Sequence, residues 1–598
     1  MSVSWRASLS CLLLASASAS QLHGRADSTS DTQPGPSFPF GKIATTTKSY
    51  AQPLSAPLAA ETYGPRFEDV STLLPANVTY TTYSLNRSAT MDADGQYGQS
   101  AYAALWVNYT FLSTPAFTTT AAATPIPSSE LVLPPQLPAR ALHDTDNLTF
   151  PCGFVWGVAG SAWQVEGGLQ AEGRGPALLD IEGVNGTGFL GNNDSNVADM
   201  HYFLYKQDIA RLAALGVPHY SFSIPWTRIL PFGVADSPVN QQALDHYDDV
   251  INTCLRYGIT PVVTLFHFDA PVGIFEDLDS FPRNYAYYAK QVMTRYADRV
   301  PYWVTFNEPN VAAEFYLPTW GGLTAFLLAH AEIYHWYKEQ LGGLGRLTMK
   351  FANNLPVPLD SDHEDDINAA HRYQEFILGI MANPLFLGKQ FPQVVLDTPA
   401  IDLVPLTDEQ IEFMNGTMDY WAFDPYSAQL VASPAQGISS CASNSSDTHW
   451  PLCVELGTIQ EDGWAIGPLS EGSATIVPAY VRSQFRYVWE TYHPKGIMVT
   501  EFGFPQIGDA KSAVEAQRYD FERTMYYQNF LTEMLRSIHL DGVNVIGALA
   551  WSWIDNNEFG SFGQQYGMIG VNRSDPYVKR YVKRSLFDYV RFFQEHSA

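Results

Sequence analysis

Basic residues are scarce in this chain. Across 598 residues, 34 Lys and Arg stand against 61 Asp and Glu, a formal net charge of −27 at pH 7. Such a surface offers no patch to neutralise phosphates, which excludes nucleic acid as a partner. It is also repelled by anionic membrane surfaces. Cysteine is limited to Cys11, Cys152, Cys254, Cys441 and Cys453, none of them in C-x-x-C spacing. With no H-E-x-x-H run either, no metal centre is expected. No apolar run reaches the roughly 20 residues that cross a bilayer, so no membrane span is expected. No glycine-rich phosphate loop follows the first strand-like run, which argues against a doubly wound nucleotide-binding sheet.

What is present points to a large globular protein. The chain is 46% hydrophobic and 14% aromatic, enough for a deep core and for rings that stack on sugar faces. "MSVSWRASLSCLLLASASAS" has a basic residue, a short apolar stretch and small residues through Ser20. That is the layout of a secretory signal peptide over residues 1–20. Sequons of the Asn-x-Ser/Thr type occur at Asn77, Asn86, Asn108, Asn147, Asn185, Asn193, Asn415, Asn444 and Asn572. Behind a signal peptide they predict a secreted, extracellular glycoprotein. Cys441 and Cys453 flank the polar loop "CASNSSDTHWPLC" and are expected to close it as a disulfide. Cys254 falls in a helical pattern and reads as a buried thiol.

Residues 21–149 form a distinct N-terminal extension, rich in Ser, Thr, Ala and Pro, with "TTTAAATPIPSS" and "LVLPPQLPAR" as linkers. Within it, "NVTYTTYSL" and "SAYAALWVNYTFL" read as short strands. The extension is expected to lie as an arm on the main domain or to form a small β module, and a cell-wall tether is one role open to it. From residue 150 to 598, apolar strand runs alternate with helical periodicity. The strand candidates are "FVWGVAGSAW", "HYSFSIPW", "PVVTLFHF", "YWVTFNEP", "RLTMKFANN", "DYWAFDPYS", "GIMVTEFGF" and "VIGALAWSWID". Eight strands, each followed by a helix, predict an α/β fold, a closed (β/α)8 TIM barrel.

In such a barrel the C-terminal strand ends line one mouth. Gln164, His267, Asn307, Glu308, Tyr426, Glu501 and Trp551 fall at or just beyond those ends. Glu308 and Glu501 end the fourth and seventh strands and can face each other. A pair of carboxyl groups across a cleft is the equipment of glycoside hydrolysis, one protonating the leaving oxygen and one attacking or activating water.

The motifs themselves resemble family 1 glycoside hydrolases, the β-glucosidase family, over residues 150 to 598. "VWGVAGSAWQVEGG" looks like that family's opening strand, "TFNEP" matches its acid/base motif, and "VTEFG" resembles its T-E-N-G nucleophile motif. "LFHFDAP" and "WSWIDNNEF" resemble two further family motifs. The resemblance implies a retaining β-glycosidase acting on a terminal sugar of a small β-glycoside, with no cofactor. It implies Glu501 as nucleophile, Glu308 as acid/base and Asn307 on the sugar 2-hydroxyl. Gln164, His267 and Glu558 would hold the other hydroxyls, Trp551 would form the floor and Tyr426 would orient Glu501. Transglycosylation is an alternative outcome of the same chemistry, and a noncatalytic carbohydrate-binding protein is the alternative of another class.

Several positions depart from the family pattern. Ser221 stands where the family has an arginine that contacts the nucleophile, and Phe502 follows the nucleophile in place of Asn. Asp424 replaces an Asn, Phe268 and Phe559 replace tryptophans, and Gln565 replaces an Arg. These changes are expected to surround the catalytic pocket, altering sugar preference and efficiency while leaving both carboxylates in hand.

Overall fold

The computed structural model describes residues 48–58, 61–85, 95–111, 113–135, 147–185, 195–315, 317 and 319–598. The signal-peptide reading and the sequons Asn86 and Asn193 lie outside these residues, as does the side chain of Asn185. The other sequon asparagines, Asn77, Asn108, Asn147, Asn415, Asn444 and Asn572, are all exposed. Among the described residues, no helix is long and apolar enough to cross a membrane.

The eight strand-like runs each contain one strand of a closed parallel ring. In chain order these are β1 Val155–Ala159, β2 His219–Ser223, β3 Thr260–Thr264 and β4 Tyr302–Val304. Then come β5, which runs Arg346–Thr348 and resumes as Lys350–Ala352, β6 Trp421–Asp424, β7 Ile497–Val499 and β8 Val545–Trp551. The break at Met349 lets β5 serve both neighbours: its first half pairs with β4 and its second half with β6. Pairing of β8 with β1, Trp551 beside Ala159, closes the ring.

Parallel strands need cover on their outer face, and amphipathic helices supply it. They are α1 His201–Ala214, α2 Gln241–Arg256, α3 Phe281–Tyr296, α4 Gly322–His335, α5 Glu364–Gln374, α6 Pro478–Tyr492, α7 Phe521–Leu540 and α8 Arg584–His596. In α2 the buried Ala243, Leu244, Tyr247, Val250, Ile251 and Cys254 recur at helical spacing. Cys254 is a buried free thiol, as its pattern predicts, and Cys152 is free and exposed. Strand alternation assigns the faces. In β5, Leu347, Met349 and Phe351 join the core under the helices, which turns Thr348 and Lys350 into the barrel.

The N-terminal extension from Ser49 onward belongs to the same compact unit as the barrel. Tyr80–Thr81 pairs in parallel with Val239–Asn240, and Leu54 N–H donates to Ala213 O at 3.0 Å. One expectation fails here: "SAYAALWVNYTFL" does not form a strand, and Gln99–Leu105 is a helix. Its alanines favour helix, and helical spacing carries Tyr102 and Trp106 to one face. There both donate to the carbonyl of Arg174, at 2.9 and 3.0 Å. Tyr83, Tyr102 and Trp106 bury themselves against Trp163, Leu169 and Leu179 of the barrel's first loop.

Candidate active site

The C-terminal strand ends surround a cavity of about 320 Å³. Glu308 follows β4 and Glu501 follows β7. With Asp424 at the end of β6, they bring one carboxyl oxygen each to within 4.8 Å of one another. Retaining hydrolysis uses carboxyl groups closer together, about 5–5.5 Å, than inverting hydrolysis, about 6.5–9.5 Å, and this approach of single oxygens suits the closer arrangement.

The backbone at the first carboxylate is unusual. Glu308 takes a left-handed conformation, φ 46° and ψ 45°, which costs roughly 1–3 kcal/mol for a non-glycine residue. Two hydrogen bonds hold it: Asn307 N–H donates to Phe266 O at 2.9 Å and Glu308 N–H to Lys350 O at 3.0 Å. The strain turns the Glu308 side chain onto the cavity, where it is half-buried.

Glu501 is held through both oxygens. Lys350 Nζ donates to Oε1 at 2.7 Å and Tyr426 Oη to Oε2 at 3.0 Å. Tyr426 therefore meets the nucleophile position although its surrounding motif follows the family only loosely. The Lys350 side chain is 2% exposed. Burial works against its charge, but Glu501 and then Asp424 outweigh burial and raise its pKa above the ordinary value. Burial, reinforced by Glu501, pushes Glu308 up to about 8, so Glu308 holds a proton in acidic and neutral solution. Burial followed by the Glu501 charge also takes Asp424 well above the usual carboxylate range. Three converging carboxyls resemble a metal cradle, but the Lys350 ammonium already supplies a cation to them.

The remaining sequence-predicted residues gather around this pair. His267 and Trp551 line the cavity and stack, ring centroids 5.5 Å apart and 8° from parallel. Burial and then Lys350 hold His267 well below its ordinary pKa, hence neutral. Trp551 Nε1 donates to Glu558 Oε2 at 3.3 Å, and burial raises Glu558 to about 8. Gln164 sits on the single helical turn Ala162–Val165, fully buried beside Glu558. Asn307 Oδ1 and Asp424 Oδ2, on residues that line the cavity, are buried without a well-formed hydrogen bond among the described residues, whereas Gln164 meets Glu558 and is not part of the lining. Buried polar atoms rarely stay unpaired; beside an open cavity, such atoms suit a polyhydroxylated ligand. Cys441 and Cys453 form a disulfide, and Leu452, next to it, reaches the cavity rim.

The comparisons agree with this geometry. The sequence model described as glycosyl hydrolase family 1 matches residues 146–597. The chain belongs to glycosyl hydrolase family 1. Among curated relatives, human cytosolic β-glucosidase is 29% identical over 487 residues, 75% of this chain and 99% of the relative. Raucaffricine-O-β-D-glucosidase of Rauvolfia serpentina is 30% identical over 73% of this chain and 89% of its own. Among solved structures, β-glucosidase 2 from the fungus Trichoderma reesei, in complex with Tris, superimposes with a TM-score of 0.70 at 28% identity. It covers 75% of this chain and 100% of the solved one. A rice β-glucosidase mutant, solved in a covalent complex with glucose, gives 0.68 at 29% identity, over 76% and 100%. As a family 1 member the protein is a glycoside hydrolase, a retaining β-glycosidase.

The departures from the family pattern divide in two. Phe268, Asp424 and Phe559 line the cavity. Phe502 does not: it is fully buried and packs on Tyr527 and Phe530 of α7. Gln565 is buried too, its carbonyl accepting from Arg523, and it is absent from the cavity lining. The expectation that all departures surround the pocket is thus corrected. Sequence reasoning missed Lys350. Its signal was a lone lysine in the apolar run "RLTMKFANN", at the parity that points into the barrel.

Proposed function

We propose that this family 1 enzyme is a secreted, exo-acting β-glucosidase in which Glu501 is the nucleophile and Glu308 the acid/base. The observation that carries the reading is the approach of their carboxyl oxygens to within 4.8 Å in a cavity. In the first step Glu501 Oε attacks the anomeric carbon, the glycosidic C–O bond breaks, and the Glu308 proton passes to the departing aglycone oxygen. In the second, Glu308 takes a proton from water while that water displaces Glu501, returning both groups to their starting states. The raised pKa of Glu308 supports its role as acid.

On the sugar side, Asn307, Gln164, His267 and Glu558 offer polar atoms to hydroxyls and Trp551 a flat floor. Phe268 and Phe559 offer only carbon there, which favours a glycone tolerant of a missing polar group at its far end. The β-glucosidases among its relatives support glucose as the reference glycone. Secretion rests on the leader-like N-terminus, the exposed sequon asparagines and the disulfide.

The test is turnover of a panel of aryl β-glycosides by wild type and Glu501→Gln. Wild-type release that vanishes in the variant is expected, with the glucoside among the best substrates. A folded wild type that turns over none of them would sink the reading. For secretion, mobility of the protein from culture medium should increase after enzymatic removal of N-glycans.

A further inference from the structure

A buried lysine in an otherwise apolar strand is expensive, because an ammonium withdrawn from water needs a partner charge and its own hydrogen bonds. Lys350 has both. Its Nζ donates to Glu501 Oε1 at 2.7 Å, while its carbonyl accepts the Glu308 N–H at 3.0 Å. One residue therefore touches both carboxylate-bearing positions, by its side chain on one hand and its backbone on the other. On β2, where the resembled family has its arginine, stands the buried, neutral Ser221.

We propose that Lys350 is the positioning cation of the nucleophile in this chain, supplying from β5 the charge that β2 lacks. The inference rests on Glu501 being the nucleophile. Lys350 and Tyr426 hold one carboxylate oxygen each, which fixes the rotamer of Glu501. The titratable groups facing Glu501 come from four sides: Lys350 on β5, Glu308 after β4, Asp424 and Tyr426 on and after β6, and Glu558 after β8. Lys350 is the one cation in that set. When Glu501 becomes an ester in the glycosyl-enzyme, it is neutral, and Glu308, having given up its proton, is the carboxylate. The ammonium then faces Glu308 and Asp424 instead. The site holds a positive charge through both half-reactions with no side chain having to move in from outside.

The experiment follows kcat/KM against pH for wild type, Lys350→Met and Lys350→Arg, and the rate at which a 2-deoxy-2-fluoroglycoside with a good leaving group traps Glu501. Expected for Lys350→Met are a fall in kcat/KM and trapping rate of roughly 10²-fold. The acidic limb should also move up by roughly 1–3 on the pH scale, because the nucleophile has lost its counter-charge. Lys350→Arg should return the limb to near its wild-type position even if the rate stays reduced. A Lys350→Met enzyme whose limb does not move overturns the proposal, whatever its rate, because a merely structural lysine would lower activity without shifting ionisation. Should Lys350→Met not fold, the Lys350→Met/Glu501→Gln double variant decides: removal of both charges should restore a cooperative melt, and no restoration overturns the ion-pair role. Turnover persisting in Glu501→Gln would instead strike the parent assignment, a separate failure.

Discussion

The two walls of the cavity are built differently. The wall of Glu308, Lys350, Asp424 and Glu501 comes from four barrel strands, and its members are held by hydrogen bonds and charges between adjacent or facing strand ends. The other wall, Phe268 and Phe559, is held by packing. Phe559 stacks on Trp163 at 6.2 Å and meets Phe268 edge-on at 5.6 Å. Behind Trp163 lie Tyr83, Tyr102 and Trp106, from outside the barrel. The first wall is sensitive to the identity of single atoms and to pH; the second is sensitive to volume.

That contrast can be broken one side at a time. The largest effect is expected from Glu501→Gln: the same volume with no nucleophile should abolish turnover of an aryl β-glucoside, and the melting temperature should fall because the buried Lys350 ammonium loses its partner charge. Glu308→Gln should lower kcat by roughly 10²–10⁴, least for substrates whose leaving groups need no proton, which a series of phenols of graded acidity would reveal. Trp106→Ala acts on the other wall from a distance. It should cost about 3–5 kcal/mol of stability and raise KM more than it lowers kcat, measurable by thermal unfolding and steady-state kinetics; an unchanged KM would separate the extension from the pocket.

The pH dependence sharpens the same comparison. Glu308 and Glu558 rise from an ordinary 4.5 to about 8, and the buried Asp199 and Asp269 from 3.8 to about 7. In each case burial is the leading cause. Through these four groups the folded state binds more protons than the unfolded chain across that window, so their contribution to stability is greatest near its acid end and declines as pH rises through it, opposed at the acid end by buried neutral histidines such as His267. The melting temperature should be lower at pH 8 than at pH 5, and kcat/KM should fall on an alkaline limb near pH 8 as Glu308 loses its proton. The smallest effect belongs to Cys441→Ser, which opens a loop at the rim: a drop in melting temperature with small-substrate kcat unchanged.

The barrel was readable because eight largely apolar runs are each followed by helical periodicity, a pattern few folds share. Glu308 and Glu501 were readable because each ends an apolar run that a carboxylate has no other reason to terminate. Lys350 escaped notice because the loss at Ser221 is seen by looking along β2, whereas its replacement stands 129 positions later and meets Glu501 only once the ring has closed. The helix at Gln99–Leu105 was misread for a different reason. Its aromatic residues suggested a strand, but it is the shared carbonyl of Arg174, remote in sequence, that rewards helical spacing.

The extension has a consequence for how the molecule can vary. The family match begins at residue 146, after Tyr83, Tyr102 and Trp106, which pack with Trp163. Cut there, the chain keeps its catalytic glutamates but exposes the apolar faces of Trp163 and Leu179 and strips the Arg174 carbonyl of both its donors. Ring size on the inside and the extension on the outside thus meet at one side chain, Trp163, so the effects of substituting Phe559 and Trp106 should not add.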